Sequence, residues 1–282
     1  MAKIKVTKFS GEQEPFDETK LRKSLQRAGA TGVMIDEITG TLESELYDGI
    51  STHEIYKNAH RQLKKLSKRA EGRYKIKEAI MELGPSGYPF EKLTGEILKR
   101  FGYSIRTGII IAGKCISHEV DVIAENENTV FIVECKFYNS KDKKCDIRNP
   151  LYFQSRYLDV AENWTNLHGD HNKKLQGWLV TNTRFTSDSI QYGNCVGLKL
   201  LSWDYPKENS LRELIARSGL YPLTSVPSLS KNDKKRLLEM NVVLCNELYK
   251  NEKLLHEANI APGKISRVLK EAEAICNHQH QD

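Results

Sequence analysis

The sequence lacks the features that mark membrane-spanning, secreted and disulfide-rich proteins. No hydrophobic run approaches the ~18 residues that a membrane span requires, and the start of the chain has no apolar stretch typical of a secretory signal. None of the six cysteines lies in a Cys-x-x-Cys pair, which argues against a zinc ribbon and favours reduced thiols. We therefore expect a cytoplasmic protein.

A strong excess of one charge sign is also missing. The 43 lysine and arginine residues against 37 acidic residues give a formal net charge of +6. Because this excess is spread along the chain and forms no basic tail, charge alone gives only weak support for nucleic-acid binding. The 282 residues, 39% of them hydrophobic, suffice for two or three domains that bury real cores.

Segments rich in glycine and proline divide the chain. The strongest break is residues 84–89, and weaker ones lie at Tyr205-Pro206 and within residues 221–228. They predict domains at residues 1–85, 86–206 and 207–282. The first reads as a short strand followed by helices, with Asp17 as a helix N-cap, and the last as a small helical domain. The predicted fold class is α/β (α+β), with a central mixed sheet flanked by helices.

Residues 108–115 match the phosphate-loop pattern Gly-x-x-x-x-Gly-Lys, but their context does not fit it. Cys115 stands where the motif needs a Ser or Thr to hold magnesium, and a strand is predicted after Lys114 where the motif requires a helix. The interior Ile-Ile-Ile also favours a strand. We interpret this segment as a strand end followed by a turn.

The candidate catalytic residues lie in a predicted hairpin formed by residues 119–123 and 130–136. If Glu127-Asn128 is its two-residue turn, Asp121 lies opposite Glu134, with Cβ atoms about 5 Å apart. Lys136 is on the same face as Glu134 because strand side chains alternate. A slip of one residue would send the two acids to opposite faces.

Two carboxylates and one ammonium group on one face can serve phosphoryl chemistry. Hard oxygen ligands hold Mg²⁺, the metal lowers the pKa of a bound water, and the lysine can stabilise the charge of the transition state. The simpler interpretation is a solvated sheet face with cross-strand ion pairs. The apolar neighbours Val120, Val122 and Val133 count against it, because charges on central strands are costly unless they are used.

Several separated motifs in the second domain resemble one nuclease family. Residues 87–91, 101–103, 118–122, 133–137 and 179–186 are similar to the Mrr-like (type IV restriction endonuclease) branch of the PD-(D/E)xK nucleases. The resemblance implies a mixed-sheet core and a DNA endonuclease that uses Mg²⁺ or Mn²⁺. Asp121 and Glu134 would then be metal ligands, Lys136 the catalytic lysine, and Glu91 a further catalytic acid that supports the metal shell.

Some positions leave alternatives within that resemblance. Glu134 stands where Mrr proteins often carry Gln, which places this chain nearer to the wider superfamily. Glu96 is a rival to Glu91 one turn on, and Glu119 could substitute in the shell. Gln154 and Arg156, on the following helix, are candidates for contact with the site or with DNA, and a solvated helix face is an equal alternative for both.

The first domain resembles an ATP cone, the regulatory module of ribonucleotide reductases. The resemblance lies in residues 6–8, 14–17 and 20 and in the later segment 47–55. It implies binding of ATP or dATP at positions that match the cone, namely Val6, Lys8, Glu14, Asp17, Lys20 and Thr52. Tyr56 stands where some cones carry His. The alternative is a cone fold without ligand that only packs or dimerises.

These elements together predict a DNA endonuclease tuned by ATP or dATP, acting in restriction and defence or in DNA repair. The alternative is a nucleotide-sensing DNA-binding regulator that does not cleave. A resolvase that reads DNA structure would use the same catalytic face. Because double-strand cutting needs two active sites, we expect a homodimer or higher oligomer. Residues 259–264 weakly resemble a helix-hairpin-helix, and a plain αα-hairpin used for packing is the more ordinary interpretation.

Overall fold

The computed structural model describes residues 4–8, 11–168 and 173–277. Its first part is a two-stranded antiparallel sheet followed by helices. The strands are β1 (Lys5–Thr7) and β2 (Gln13–Pro15), and the helices are α1 (Glu18–Arg27), α2 (Gly32–Glu43), α3 (Thr52–Leu66), α4 (Lys68–Tyr74) and α5 (Ile76–Met81). Asp17 caps α1 by accepting a hydrogen bond from the Thr19 amide at 3.0 Å, which confirms the predicted N-cap.

The central part is a five-stranded mixed sheet between helices. It begins with α6 (Tyr88–Arg100) and continues through β3 (Ser104–Ala112), β4 (Ser117–Glu125), β5 (Thr129–Lys136), β6 (Lys144–Cys145), α7 (Arg148–His168), β7 (Lys174–Thr181), β8 (Arg184–Phe185), α8 (Ser187–Cys195) and β9 (Lys199–Leu201). The main sheet has the order β3-β4-β5-β7-β9, antiparallel up to β5 and parallel from β5 to β9. The segment that mimics a phosphate loop is the end of β3 and the turn into β4, as its sequence context predicts.

Helices dominate the described residues after β9. They are α9 (Leu211–Ser218), α10 (Lys231–Glu239), α11 (Cys245–Lys250), α12 (Lys253–Glu257) and α13 (Pro262–Cys276), with a 3-10 turn at Leu223–Ser225. The mixed α/β class with helical end regions is therefore confirmed. Within the described residues no helix is long and apolar enough to span a membrane.

The two faces of the sheet bury different helices. On one face Val122, Phe131 and Val133 pack with the α6 residues Phe90 and Leu93. On the other face lie Ile123 and Ile132, which pack with α7 through Phe153 and Val160. The core on the α6 face continues without a break into the C-terminal helices, and this continuation includes Leu211, Leu223, Leu237, Leu248 and Ile265. The third domain therefore shares a core with the second.

Replacement of Phe90 by Ala tests this arrangement. Phe90 is fully buried between α6 and the sheet, so the variant should lose about 3–5 kcal/mol of unfolding free energy. Urea denaturation followed by circular dichroism measures the loss. Ile110→Ala is the matched control, since Ile110 is 74% exposed on the edge strand and its truncation should cost little. Equal losses in both variants would contradict the assignment of the core.

Candidate active site

The hairpin has the register that its sequence predicts. Glu125 pairs with Val130 and Val122 with Val133, around a turn in which the Asn126 side chain accepts the amides of Asn128 and Thr129. The paired ladder ends at Val122 and Val133. Continued by one residue, the same register places Asp121 opposite Glu134, just beyond the last pair.

Asp121 lies where β4 and β5 stop pairing. Its carboxylate accepts the backbone N–H of Cys135 at 2.7 Å, so a side chain takes the place of a backbone acceptor there. Val120 and Val122 are two residues apart, yet they pack on opposite faces of the sheet. Because residues two apart on a regular strand share a face, β4 twists at Asp121 and aims its carboxylate at β5.

Glu134 is held between two cations. Its side chain is only 5% exposed, with Oε1 at 2.6 Å from Lys136 Nζ and Oε2 at 2.7 Å from Arg156 Nη1. Arg156 also donates to the carbonyl oxygen of Glu119 and lies over the Tyr152 ring. Arg156 therefore contacts the site, and it ties α7 to β4 and β5 at once.

Strand β7, which follows α7, holds the end of β5 in place. Thr181 pairs with Lys136 across the parallel strands and donates its hydroxyl to the Lys136 carbonyl oxygen at 2.7 Å. The Asn182 side chain accepts the Tyr138 amide at 2.8 Å and donates to the Tyr138 carbonyl at 2.7 Å. The segment from Leu179 onwards thus anchors the backbone on both sides of Phe137, which limits the movement of the lysine.

Negative charge accumulates in this half-buried region. Burial and the charge of Glu134 together raise the pKa of Asp121 to about 6, although the hydrogen bond from the Cys135 N–H acts in the opposite direction. Burial also raises the pKa of Glu91 to about 7, and the carboxylates of Asp121, Glu119 and Glu134 act in the same direction. Glu91 therefore lies within electrostatic reach of the acids of both strands.

Lys136 remains a cation despite its partial burial. Burial lowers the pKa of its ammonium group, but the adjacent Glu134 carboxylate more than compensates, and the pKa is raised above its usual value. A lysine in this state can stabilise negative charge but cannot act as a base near neutral pH. Glu96, the rival of Glu91, pairs with Lys99 at 3.9 Å, with 39% of its side chain exposed.

The carboxylates offer donors of the kind that Mg²⁺ prefers. Within the described residues, no group of three or more His, Cys, Asp or Glu side chains lies close enough to hold a metal ion. Mg²⁺ commonly uses only one or two protein carboxylates and keeps several waters. Asp121 and Glu134 supply two such carboxylates, and burial together with the charge of Glu134 raises the pKa of Asp121. Metal binding stays a prediction.

The cone residues meet around one carboxylate. The Glu14 carboxylate forms ion pairs with Lys8 Nζ at 2.8 Å and Lys20 Nζ at 3.1 Å, so three of the positions predicted to bind the nucleotide converge. Thr7 pairs with Ser51, which caps α3, so β1 lies beside the helix that Thr52 begins. The Val6 side chain is 3% exposed and belongs to the core, and therefore only its backbone can face a ligand.

Asp159 on α7 is a structural residue that the sequence pattern does not reveal. Its carboxylate accepts the amides of Cys115 and Ile116 and contacts His118 Nε2 at 2.8 Å, so it holds the β3–β4 turn. The His118 contact lowers the pKa of Asp159 to about 2. Its partners lie more than 40 residues away in sequence, with separations of 44, 43 and 41, and no local periodicity reports such a contact.

Comparison with known proteins gives a family match at each end of the chain. The family model for the ATP cone domain matches residues 4–84, which confirms the predicted cone, and the model described as AF1548-like, C-terminal matches residues 221–276. An uncharacterized protein of Archaeoglobus fulgidus is 31% identical over 180 residues, which cover 64% of this chain and 97% of that protein. The crystal structure of a protein of unknown function, AF1548, matches with a TM-score of 0.56 and 29% identity, over 68% of this chain and 98% of that chain. These descriptions state no reaction.

Substitution of Glu91 by Gln should remove a pH-dependent loss of stability. The folded state holds the Glu91 proton more tightly than the unfolded chain does, so stability falls as pH rises from about 4.5 to about 7. At pH 8 Glu91→Gln should therefore be more stable than the wild type by about 1–2 kcal/mol, after allowance for solvent screening. Urea titrations at pH 4.5 and pH 8 measure the difference. Glu96→Gln on the same helix is the control, and an equal gain there would contradict the proposed crowding of charge around Glu91.

Proposed function

This chain belongs to the AF1548-like family, and we propose that it is a metal-dependent DNA endonuclease regulated by an adenine nucleotide on its ATP cone. The observation that carries the proposal is the meeting of Asp121, Glu134 and Lys136 where the β4–β5 ladder ends. Functional sites are where crowded, half-buried charges with perturbed pKa values concentrate. The choice of DNA as substrate rests on the resemblance of these motifs to Mrr-like nucleases.

Each side chain has a distinct part in phosphodiester hydrolysis. Asp121 and Glu134 would hold Mg²⁺ or Mn²⁺, which supplies Lewis-acid activation of the phosphate and of a water when bound. Lys136 is protonated at neutral pH and stabilises the charge that develops on the phosphate. Glu91, with a pKa of about 7, suits the acceptance of a proton from the attacking water. Arg156 keeps the Glu134 carboxylate in a fixed orientation.

A continuous set of contacts links the cone to the catalytic strand. Tyr56, one turn beyond Thr52 on α3, donates its hydroxyl to Glu78 Oε2 at 2.7 Å. The other oxygen of Glu78 accepts Lys141 Nζ at 2.6 Å, and Lys141 lies in the segment that follows Lys136. A Cβ on Gly84 would come within 2.7 Å of the Phe137 ring. The segment between α5 and α6 therefore also packs closely against the residue that follows Lys136. A nucleotide that moves Tyr56 can thereby shift the segment after β5.

One observation favours a second candidate, a nucleotide-sensing DNA-binding regulator without cleavage. Both oxygens of Glu134 are engaged by cations, so a metal must compete with Lys136 and Arg156 for them. A protein that used these groups only for architecture would shift DNA in a gel without cutting it. Its DNA affinity would respond to ATP or dATP.

Cleavage of supercoiled plasmid in Mg²⁺ or Mn²⁺ separates the two candidates. The wild type should nick or cut, whereas Glu134→Ala and Lys136→Ala should lose about 100-fold or more of the rate, since each removes a group that acts on the reacting phosphate. Glu127→Ala, on the turn of the same hairpin, should keep full activity. If all four proteins behave alike, the nuclease assignment fails, and a gel shift without cleavage would favour the regulator.

Glu78→Gln should uncouple the nucleotide from cleavage. The amide can still accept the Tyr56 hydroxyl, but the ion pair with Lys141 is lost. We expect ATP to bind within about threefold of the wild-type affinity while its effect on the cleavage rate falls by about fivefold or more. Fluorescent-nucleotide titration and plasmid cleavage measure the two quantities. The control is Glu82→Gln, directly after α5, where the carboxylate pairs with Lys234 instead. In this variant ATP should change the cleavage rate as it does in the wild type. An unchanged response in Glu78→Gln would contradict the coupling.

A further inference from the structure

Two cysteines of the C-terminal helices meet beside the same dipeptide. Cys245 begins α11 and Cys276 ends α13. The Cys245 amide donates to the Tyr221 carbonyl at 2.8 Å, and its sulfur lies 3.1 Å from the Pro222 carbonyl oxygen. The Cys276 thiol lies within interaction range of the Tyr221 amide and of the Cys245 thiol, and α13 packs against α11. The two sulfurs are therefore neighbours in a packed setting, although 31 positions separate them in the chain.

A buried arginine from the N-terminal domain binds the backbone on both sides of one of the two cysteines. Arg73 on α4 is 5% exposed and donates to the carbonyl oxygens of Ile275 at 2.7 Å and Asn277 at 3.0 Å, on either side of Cys276. Its guanidinium also lies 5.0 Å from the centre of the Tyr221 ring. Across the described ranges, no carboxylate forms a salt bridge with Arg73. Its positive charge is thus available to an anion at Cys276.

The two thiols differ in character as a result. The hydrogen bond from Cys245 lowers the pKa of Cys276, burial opposes this, and Arg73 lowers it further. Burial raises the pKa of Cys245 well above its usual value. Elsewhere, the contact with Asp159 raises the pKa of Cys115, although Cys115 is exposed. Thiolate character and exposure therefore point to different cysteines in this protein.

We propose that Cys276 and Cys245 form a redox-active pair, in which Cys276 is the oxidant-sensing thiol and Cys245 the resolving thiol. A hydroperoxide supplies the oxidant. The Cys276 thiolate attacks one peroxide oxygen, the O–O bond breaks, and the products are a sulfenic acid and, with one proton, water or the corresponding alcohol. The Cys245 thiol then attacks the Cys276 sulfur, a disulfide forms, and the sulfenic hydroxyl leaves with the Cys245 proton as a second water.

A disulfide would change the surroundings of Arg73. Oxidation joins α11 to α13 covalently beside the Ile275 and Asn277 carbonyl oxygens to which Arg73 donates, and a disulfide sulfur carries no negative charge for the guanidinium to stabilise. Since Arg73 belongs to the cone, the oxidation state of the pair is linked to the way in which the cone binds the C-terminal helices. The pair is independent of DNA cleavage, and its test needs no nuclease activity.

Peptide mapping by mass spectrometry after mild oxidation tests the proposal on the full chain. With hydrogen peroxide at a few equivalents, the expected product is a Cys245–Cys276 disulfide, while the exposed Cys115 and Cys195 react at least about tenfold more slowly. The C245S variant should accumulate a sulfenic acid at Cys276 that dimedone traps, and C276S should leave Cys245 reduced. Both substitutions are nearly isosteric. The wild-type peptide map alone shows whether the Cys245–Cys276 disulfide forms.

Two results would overturn the redox pair. One is oxidation of Cys115 and Cys195 while Cys276 stays reduced, which would show that reactivity follows exposure. The other is oxidation of Cys276 to the same extent and product in the wild type and in C245S, which would show that Cys245 does not resolve it. If no cysteine of the folded protein is oxidised, the proposal is overturned as well.

Discussion

The local structure of the candidate site depends on one carboxylate held between two cations. Glu134 is almost fully enclosed, and its burial is tolerated because Lys136 and Arg156 each occupy one oxygen. Removal of either partner would leave one oxygen of the buried carboxylate without its cation. Arg156 reaches Glu134 from α7 and at the same time binds the backbone of β4, so the helix, two strands and the acid form one unit.

Among the described residues, no cation forms a salt bridge with the acids beside this unit, although Lys136 lies near both. Asp121 and Glu91 both have raised pKa values, since burial and neighbouring carboxylates oppose their ionisation. A fold that keeps such groups together gives up stability at neutral pH. The ladder of β4 and β5 ends where the acids begin, which leaves room for a side chain, rather than a backbone carbonyl, to bind the Cys135 amide.

Two of the polar contacts between the cone and the rest of the molecule lie next to the sites described above. Glu78 joins Tyr56 to Lys141 beyond the end of β5, and Arg73 donates to the end of α13. Gly72 reinforces the second contact, because a Cβ there would come within 2.6 Å of Ile275. Both contacts involve charged groups, and they join the cone to the strands and helices that follow it.

The sequence by itself determined the features that short segments encode. Alternating apolar residues and the two-residue turn at Glu127 set the hairpin register, Asp17 set the start of α1, and the motif around Lys8 and Glu14 identified the cone. Such signals are readable because the interacting residues are close in the chain. The tertiary structure alone decided that Arg156 holds Glu134, that Asp159 holds the β3–β4 turn, that Arg73 encloses Cys276, and that the C-terminal helices share the core of α6. These contacts join residues many positions apart, and only the packing of helices on the sheet brings them together.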